Sequence, residues 1–404
     1  MTPTAEDHPL PKFIAPLFPV NCRVQRCPTS RVDAPQRILI VKLGALGDIL
    51  MTTPLLTALR RSYPQAHLTW LVDSKNVQAV EAHPLLDEIM VWDGDYWSLM
   101  KSTRPRNWIK NRFGFRRLSG LIRLKYLLRR RFHIFISFHP EQDLMRAAAA
   151  SDISVGVFQS PRQEKRNYTT RYTRAYASRY DGNTAIDFPL HQTDTYLLPL
   201  DALNLPPAAD KRMVLGFTAE DAAAADRLLR EQNVGSGFAA LAPLTTWRSK
   251  CWPEERWSAL GDALAKEGKP VVLIGSPAER DAIKRVASAM QSRAVTLAGR
   301  LSFREAAALI ARAALCVSND SGPMHIAAAV GTPYVSLFGP TSPARYAPLE
   351  GNGRVLLHLV PCGPCMEQVC LNPPETQMEC MRGLTVSEAL AAVLSALAGE
   401  TRPV

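Results

Sequence analysis

Residues 315–340 read LCVSNDSGPMHIAAAVGTPYVSLFGP, and the architecture that we expect for the whole chain follows from this stretch. Its apolar residues 315–317 predict a buried strand, and the polar turn after them leads into a helix with Pro323 in its first turn. A Gly-Thr-Pro sequence at 331–333 ends the helix, and Tyr334–Phe338 predicts a second strand. Strand, helix and strand in this order are typical of a parallel α/β sheet, where ligands bind beyond the carboxyl ends of the strands.

The turn in this stretch carries four candidate binding residues, Asp320, Ser321, Gly322 and His325. They lie at a helix start, where free N–H groups and the positive end of the helix dipole attract an anion. An alternative stays open, in which Asp320 and Ser321 only cap the helix and His325 packs beneath it.

Length and composition indicate a globular protein with room for two domains. The chain has 404 residues, 47% of them hydrophobic and 21% charged. No apolar run is long enough to span a bilayer, and the acidic, proline-rich start does not resemble a secretory signal. We therefore expect a cytoplasmic protein, with residues 1–35 forming an irregular amino-terminal arm.

A strongly basic segment lies between residues 101 and 131. It contains twelve Lys and Arg residues, interleaved with aromatic and aliphatic ones, within a chain of net charge +11. This mixture is typical of a surface that binds anionic lipid headgroups or another polyanion, so we expect an anionic membrane surface as a partner. A solvated basic connection is the alternative. No nucleic-acid motif is recognisable, and we expect no nucleic-acid partner.

Strands alternate with helices in two successive runs, which predicts an α/β protein with two Rossmann-like domains. We place an amino-terminal domain at 36–205, with 101–131 as its basic insertion, and a carboxyl-terminal domain at 206–404. Helices are expected at 74–82 and 142–150 in the first domain, whereas 155–210 has a less regular pattern.

The first strand of the amino-terminal domain leads into the turn Gly44-Ala45-Leu46-Gly47-Asp48. Gly44 and Gly47 allow a substrate to approach the backbone on the acceptor side, and the Asp48 carboxylate could accept a proton from a substrate hydroxyl. Asp48 could instead be a helix cap. The turn is not G-x-G-x-x-G, so a dinucleotide site is not supported.

Two loops of the carboxyl-terminal domain carry further candidate residues. Thr245, Thr246 and Lys250 lie between a predicted strand and a helix, where hydroxyls and an ammonium group suit a diphosphate. Glu279 follows the next strand in the sequence GSPAE and could bind ribose hydroxyls.

Four of the eight cysteines crowd into residues 362–380. They are Cys362, Cys365, Cys370 and Cys380. Four thiolates can complete a tetrahedral zinc or iron site, and a closed shell of this kind is structural rather than catalytic. Four reduced thiols in a locally packed loop remain the alternative.

Together these motifs resemble glycosyltransferase family 9, the ADP-heptose:lipopolysaccharide heptosyltransferases. The resemblance covers most of 37–390 and includes the strand-GALGD-helix start, TTxRxKxWP at 245–253, GSPAE at 275–279 and NDSGPMHxAAA at 319–329, followed by GTP and LFGPT. It implies a GT-B fold, with two Rossmann-like domains facing each other across a cleft. The first domain would hold the acceptor and the second the ADP-heptose donor.

The resemblance also implies a role for each matched residue. Asp48 would be the general base. Thr246 and Lys250 would hold the diphosphate beside Thr245, and Glu279 would hold the ribose. Asp320 would bind the heptose hydroxyls, while the phosphate and sugar site would be lined by Ser321, Gly322 and His325. Transfer would invert the anomeric carbon and need no cofactor, since Lys250 and helix N–H groups can stabilise the leaving ADP.

The acceptor is less well defined by the sequence. Given the resemblance, the basic segment favours a lipid A-linked hydroxyl of the lipopolysaccharide core as the acceptor and a peripheral position on the inner face of the inner membrane. Some relatives of the family instead add heptose to autotransporter proteins. An enzyme of the UDP-N-acetylglucosamine 2-epimerase type, which has the same layout, and a non-catalytic membrane-surface protein are further alternatives. The epimerase would need no acceptor.

Overall fold

The structure is a computed structural model that describes residues 34–92, 132–139, 151–158, 174–177 and 190–399. The arm up to residue 33, the basic segment 101–131 and the predicted helix at 142–150 lie outside the described residues.

The first sheet has six parallel strands in the order β3-β2-β1-β4-β5-β6. They are β1 Arg37–Val41, β2 His67–Asp73, β3 Glu88–Trp92, β4 Phe132–Ser137, β5 Ser151–Phe158 and β6 Arg174–Ala177. Helix α1, Leu46–Ser62, packs against helix α2, Gln192–Ala202. A short 3-10 helix, Ser74–Ala79, follows β2.

The second sheet repeats this arrangement, in the order β12-β11-β10-β7-β8-β9, again with all strands parallel. Its strands are β7 Ala239–Ala242, β8 Val271–Leu273, β9 Ala294–Thr296, β10 Leu315–Asn319, β11 Tyr334–Phe338 and β12 Gly353–Leu357. Its helices are α3 Ala219–Glu231, α4 Glu254–Lys266, α5 Arg280–Ala289, α6 Phe303–Ile310, α7 Gly322–Val330, α8 Pro343–Tyr346, α9 Glu379–Arg382 and α10 Val386–Leu397. Two further 3-10 helices are Arg248–Lys250 and Pro277–Glu279.

Both sheets have the Rossmann strand order, so each has one point where successive connections leave in opposite directions. In the first sheet this switch point lies between β1 and β4, and in the second it lies between β7 and β10. Interior strands of a parallel sheet are covered by helices on both faces, which explains why β10 and β11 are buried along their whole length. Ligands bind at the carboxyl ends of the strands that flank a switch point.

The structure differs from the sequence expectations in several elements. The helix expected at 74–82 is a 3-10 helix that ends at Ala79. The stretch 155–210, expected to be less regular, contains β6 and α2. Pro199 inside α2 weakens its helical pattern, yet the helix forms because Tyr196 and Leu200 are buried. Strand β12 was not expected, because its residues are only partly buried at the sheet edge.

Contacts between the two halves bring the loops after β1 and β10 together. Helix α1 packs against helix α7, and the backbone N–H of Val214 donates to Oγ1 of Thr53 in α1 at 2.9 Å. The Arg304 guanidinium binds Glu81 from the first half and Asp221 from the second. Within the described residues, the search for a helix long and apolar enough to cross a membrane finds none.

Candidate active site

Asp48 lies in the first turn of α1, directly beyond the carboxyl end of β1 at the first switch point. The residue at the helix cap is Ala45, whose backbone N–H donates to Oδ2 of Asp48 at 3.4 Å. The Asp48 side chain is 33% exposed, and the Lys42 ammonium lies 3.7 Å from the same Oδ2. The carboxylate therefore stabilises the helix start and still reaches solvent, where an acceptor hydroxyl could approach it.

Lys42 and Tyr196 surround Asp48 from the protein side. The Lys42 side chain is 2% exposed, and its ammonium lies 5.0 Å from the centre of the Tyr196 ring. Burial, and after it the negative charge of Asp48, raise the pKa of the Tyr196 hydroxyl well above its ordinary value. Sequence analysis missed both residues, although a lysine that closes an otherwise apolar strand was a usable signal.

Gly44 and Gly47 are required by packing within the protein. A Cβ on Gly44 would come within 2.7 Å of the side-chain amide of Asn76, which donates to the carbonyl of Leu43. A Cβ on Gly47 would lie 2.9 Å from Cδ2 of His325 in the second half. The second glycine thus allows the starts of α1 and α7 to approach each other.

Asp320 forms the centre of the second half of the site, beyond the end of β10 at the second switch point. Its Oδ2 accepts hydrogen bonds from the Lys250 ammonium at 2.7 Å and from the Thr341 hydroxyl at 2.6 Å. The Lys250 ammonium also lies 4.4 Å from the centre of the Trp247 ring. The structure therefore joins two sequence-predicted residues, Lys250 and Asp320, through a direct and largely buried ion pair.

Asn319 fixes the loop that carries Lys250 to the end of β10. Its side-chain amide donates to the carbonyl of Pro243 at 2.8 Å, and its Oδ1 accepts from the backbone N–H of Trp252 at 3.2 Å. Both ends of the loop 243–252 are thereby held against one buried side chain. This explains how a short polar loop keeps a lysine pointed at the second switch point.

The start of helix α7 differs from the capping alternative. Ser321 occupies the cap position but forms no side-chain cap, and its hydroxyl donates to the carbonyl of Asn319 at 3.2 Å. A Cβ on Gly322 would meet no described atom within 4 Å, so the first turn of the helix borders open space. The helix start is available to an anion.

His325 lies between the two halves of the site. Burial lowers the pKa of His325 to about 4, although the charges of Asp320 and Asp48 act to raise it. The same ring therefore senses both carboxylates, which places Asp48, Asp320, Lys250 and His325 in one electrostatic neighbourhood. At neutral pH the imidazole is uncharged.

The remaining donor-side candidates form contacts within their own loops. Thr246 is exposed and Thr245 half-buried in the loop after β7, where the Thr245 carbonyl accepts from the Cys251 thiol at 3.8 Å. The Oε2 atom of Glu279 accepts from the backbone N–H of Ser276 at 2.7 Å and from its hydroxyl at 2.8 Å. Glu279 thus closes its own turn at the carboxyl end of β8.

The four clustered cysteines line one cavity of about 200 Å³. All of them are free thiols: Cys362, Cys365, Cys370 and Cys380. The side-chain amide of Asn372 donates to Sγ of Cys362 at 3.4 Å, and the backbone N–H of Met378 donates to Sγ of Cys370 at 3.3 Å. Burial, and after it the charges of the other three thiols, raise the pKa of Cys380 to about 11. Among the described residues, no three His, Cys, Asp or Glu side chains are arranged to hold a metal ion.

Comparison with known proteins identifies the family of the chain. A sequence model of glycosyltransferase family 9 (heptosyltransferase) matches residues 142–375, more than half of the 404-residue chain. The chain belongs to glycosyltransferase family 9. It is 28% identical over 352 residues to lipopolysaccharide heptosyltransferase 1 of Pseudomonas aeruginosa, a match that covers 84% of this chain and 88% of that protein.

Solved structures of the family have the same fold. A family 9 glycosyl transferase from Veillonella parvula matches with a TM-score of 0.73 at 22% identity, covering 91% of this chain and 99% of that one. The E. coli heptosyltransferase WaaC with ADP-2-deoxy-2-fluoro heptose matches with a TM-score of 0.60 at 22% identity, covering 89% and 99%. The chain therefore has the expected GT-B fold, with two Rossmann-like domains across a cleft, and it is a glycosyltransferase.

Proposed function

We propose that this family 9 enzyme transfers heptose from ADP-heptose to a hydroxyl of the lipopolysaccharide core, with inversion at the anomeric carbon. The observation that carries the proposal is the convergence of Asp48 and the Lys250–Asp320 pair on the two sides of His325. A base from one half and an anion-binding lysine from the other are what direct transfer from a sugar diphosphate requires. The relative from Pseudomonas aeruginosa is named for lipopolysaccharide, and the E. coli enzyme contains an ADP-heptose analogue.

On the donor side, Lys250 would turn from Asp320 to the diphosphate, and the start of α7 beside Gly322 would add N–H groups. Asp320 would then accept hydrogen bonds from the heptose hydroxyls. The positive charge that stabilises the departing ADP would come from the chain itself, so the proposed transfer uses no catalytic cofactor. Thr246 would contact the diphosphate beside Thr245, and Glu279 would contact the ribose through its second carboxylate oxygen.

On the acceptor side, Asp48 would take the proton from the attacking hydroxyl. The new bond forms between the acceptor oxygen and the anomeric carbon while the bond from that carbon to the diphosphate oxygen breaks. The departing ADP carries away the bonding electrons, and the proton remains on Asp48. One displacement of this kind inverts the configuration at the anomeric carbon. The exposed edge of the Asp48 carboxylate is where the acceptor would approach.

The donor assignment is tested by calorimetric binding of ADP, UDP and GDP, followed by mass spectrometry of the transfer product. We expect ADP to bind and UDP and GDP to bind at least about tenfold more weakly. Lys250→Met should weaken ADP binding by about tenfold or more, because charge-assisted bonds to phosphate are among the stronger ones. Preferential binding of UDP would contradict the proposal and favour an epimerase-type reaction.

The acceptor assignment needs a separate comparison. A heptose-free lipopolysaccharide core and an autotransporter passenger protein are each incubated with the enzyme and ADP-heptose. We expect the mass of one heptose to be added to the glycolipid only. Addition to the protein alone would refute the lipopolysaccharide assignment and support the protein acceptor.

We further propose that the basic segment 101–131 attaches the enzyme to the cytoplasmic face of the inner membrane. Its twelve cationic residues and lack of acidic residues support this position, since each cation near an anionic leaflet contributes about 1 kcal/mol. Co-sedimentation with phosphatidylglycerol vesicles should be strong at low salt and lost at high salt, whereas phosphatidylcholine vesicles should not bind the enzyme. Equal binding to both vesicle types would contradict an electrostatic attachment.

We also propose a structural zinc or iron ion at the four cysteines. Their shared cavity and the N–H donors to two sulfurs support it, because such hydrogen bonds surround metal-bound thiolates. The donor set fits a tetrahedral site, and binding would draw the thiolates together. Elemental analysis should find about one metal ion per chain, which Cys365→Ala loses and Cys251→Ala, outside the cavity, retains. A metal-free wild-type enzyme would refute this proposal.

A further inference from the structure

One oxygen of Asp320 accepts two hydrogen bonds, and the two donors differ in what they can do when the nucleotide sugar binds. The Lys250 ammonium donates at 2.7 Å from a loop, whereas the Thr341 hydroxyl donates at 2.6 Å from just beyond β11. Lys250 has a long, flexible side chain and can turn away. Thr341 has a single side-chain torsion and is 1% exposed.

The backbone around this contact is fixed on both strands. The N–H of Asp320 donates to the carbonyl of Leu337 at 2.9 Å, which ties the end of β10 to β11. The carbonyl of Pro340, next to Thr341, accepts from the N–H of Met366 at 2.8 Å. The Thr341 hydroxyl is therefore held at a set distance from the Asp320 carboxylate.

A buried carboxylate is costly unless hydrogen-bond donors satisfy it. Asp320 is 4% exposed, so a departure of Lys250 toward a diphosphate would remove one of its two described side-chain donors. The Thr341 bond remains and keeps Oδ2 in place. The other oxygen, Oδ1, would then accept hydrogen bonds from the sugar.

We propose that Thr341 is a positioning residue that fixes the Asp320 carboxylate and so determines how strongly the enzyme prefers a sugar nucleotide to the free nucleotide. The inference rests on the proposed function, because it takes Asp320 as the residue that binds the donor sugar. Thr341 itself touches neither the sugar nor the reacting atoms. Its effect is largest on the sugar part of the donor, because Asp320 contacts the sugar whereas the nucleotide and diphosphate contact other residues.

The test compares Thr341→Val, which removes the hydroxyl, with Thr341→Ser, which retains it. Calorimetry measures the dissociation constants of ADP and ADP-heptose for each variant and for the wild type. We expect Thr341→Val to weaken ADP-heptose binding about tenfold more than it weakens ADP binding, a difference equivalent to about 1.4 kcal/mol. Thr341→Ser should restore ADP-heptose binding to within about twofold of the wild type.

A merely structural role for Thr341 would weaken both ligands equally, and that result would overturn the proposal. Unchanged ADP-heptose binding in Thr341→Val would overturn it as well. If the valine variant does not fold, Thr341→Ala removes the same hydroxyl and the same comparison applies. A wild type that binds ADP-heptose no more tightly than ADP would instead refute Asp320 as the sugar-binding residue, so the two failures are distinguishable.

Discussion

The buried imidazole of His325 makes the stability of the enzyme depend on pH in a calculable way. Burial lowers the pKa of His325 from 6.5 to about 4; the carboxylates Asp320 and Asp48 oppose this shift, and Lys250 and His191 add to it. In the unfolded chain the histidine takes up a proton near pH 6.5, whereas in the folded enzyme it does so only near pH 4. The free energy of unfolding therefore falls as the pH is lowered through this interval.

The size of the effect follows from the two pKa values. At 1.36 kcal/mol per pH unit, the complete loss of stability from His325 is about 3 kcal/mol below pH 4. Between pH 7.5 and pH 5 the loss is about 2 kcal/mol. His325→Asn removes this titration, so its free energy of unfolding should fall by about 2 kcal/mol less than that of the wild type over the same interval.

Urea denaturation at pH 7.5 and pH 5 measures the difference, with the mutant and wild type compared at each pH. His83→Asn is a matched control, because burial also lowers the pKa of His83 to about 4 at a position outside the proposed active site. His325→Asn and His83→Asn should each lose a similar part of the pH dependence of the wild type's free energy of unfolding. An identical pH dependence in the wild type and in His325→Asn would refute the reasoning.

Three further predictions concern other parts of the site. Asp48→Asn should lower the rate of transfer by about 10²–10⁴-fold without changing ADP affinity; a rate within about tenfold of the wild type contradicts its role as base. Gly47→Ala should destabilise the enzyme by about 1–3 kcal/mol in urea denaturation, because the new Cβ meets His325. Gly235→Ala is the control, because a Cβ there would meet no described atom within 4 Å. Arg304→Ala, which breaks the bridge between the halves, should cost about 1.5–3 kcal/mol by the same measurement, and an unchanged midpoint would argue against that bridge.

The fold could be predicted from the sequence where single strands are buried on both faces. The strand expected at Tyr334–Phe338 has these bounds in the structure, and the helix before it begins at Gly322. Elements at the periphery were harder, because β12 is only partly buried and α2 contains a proline. In both cases tertiary packing outweighs a weak local pattern.

Candidate site residues could be predicted where a single sequence motif contains the polar side chains. The polar turn around Asp320 and the loop around Lys250 were visible in the sequence, because both follow strands and precede helices. Thr341 and Lys42 were not singled out, since their importance comes from side chains that lie far away in the sequence. A threonine 21 residues from its carboxylate partner has no local signature.

Buried charge at both switch points argues that this part of the molecule was not selected for stability alone. Two ammonium groups are largely excluded from solvent here, that of Lys42 beside Asp48 and that of Lys250 beside Asp320. Apolar residues of similar volume in place of a buried ion pair often leave a protein as stable or make it more stable. The pairs are better explained by the proposed function, in which Asp48 is the base and Lys250 would exchange the Asp320 carboxylate for a diphosphate. The same exchange requires a second donor to Asp320, and the Thr341 hydroxyl is placed to provide it.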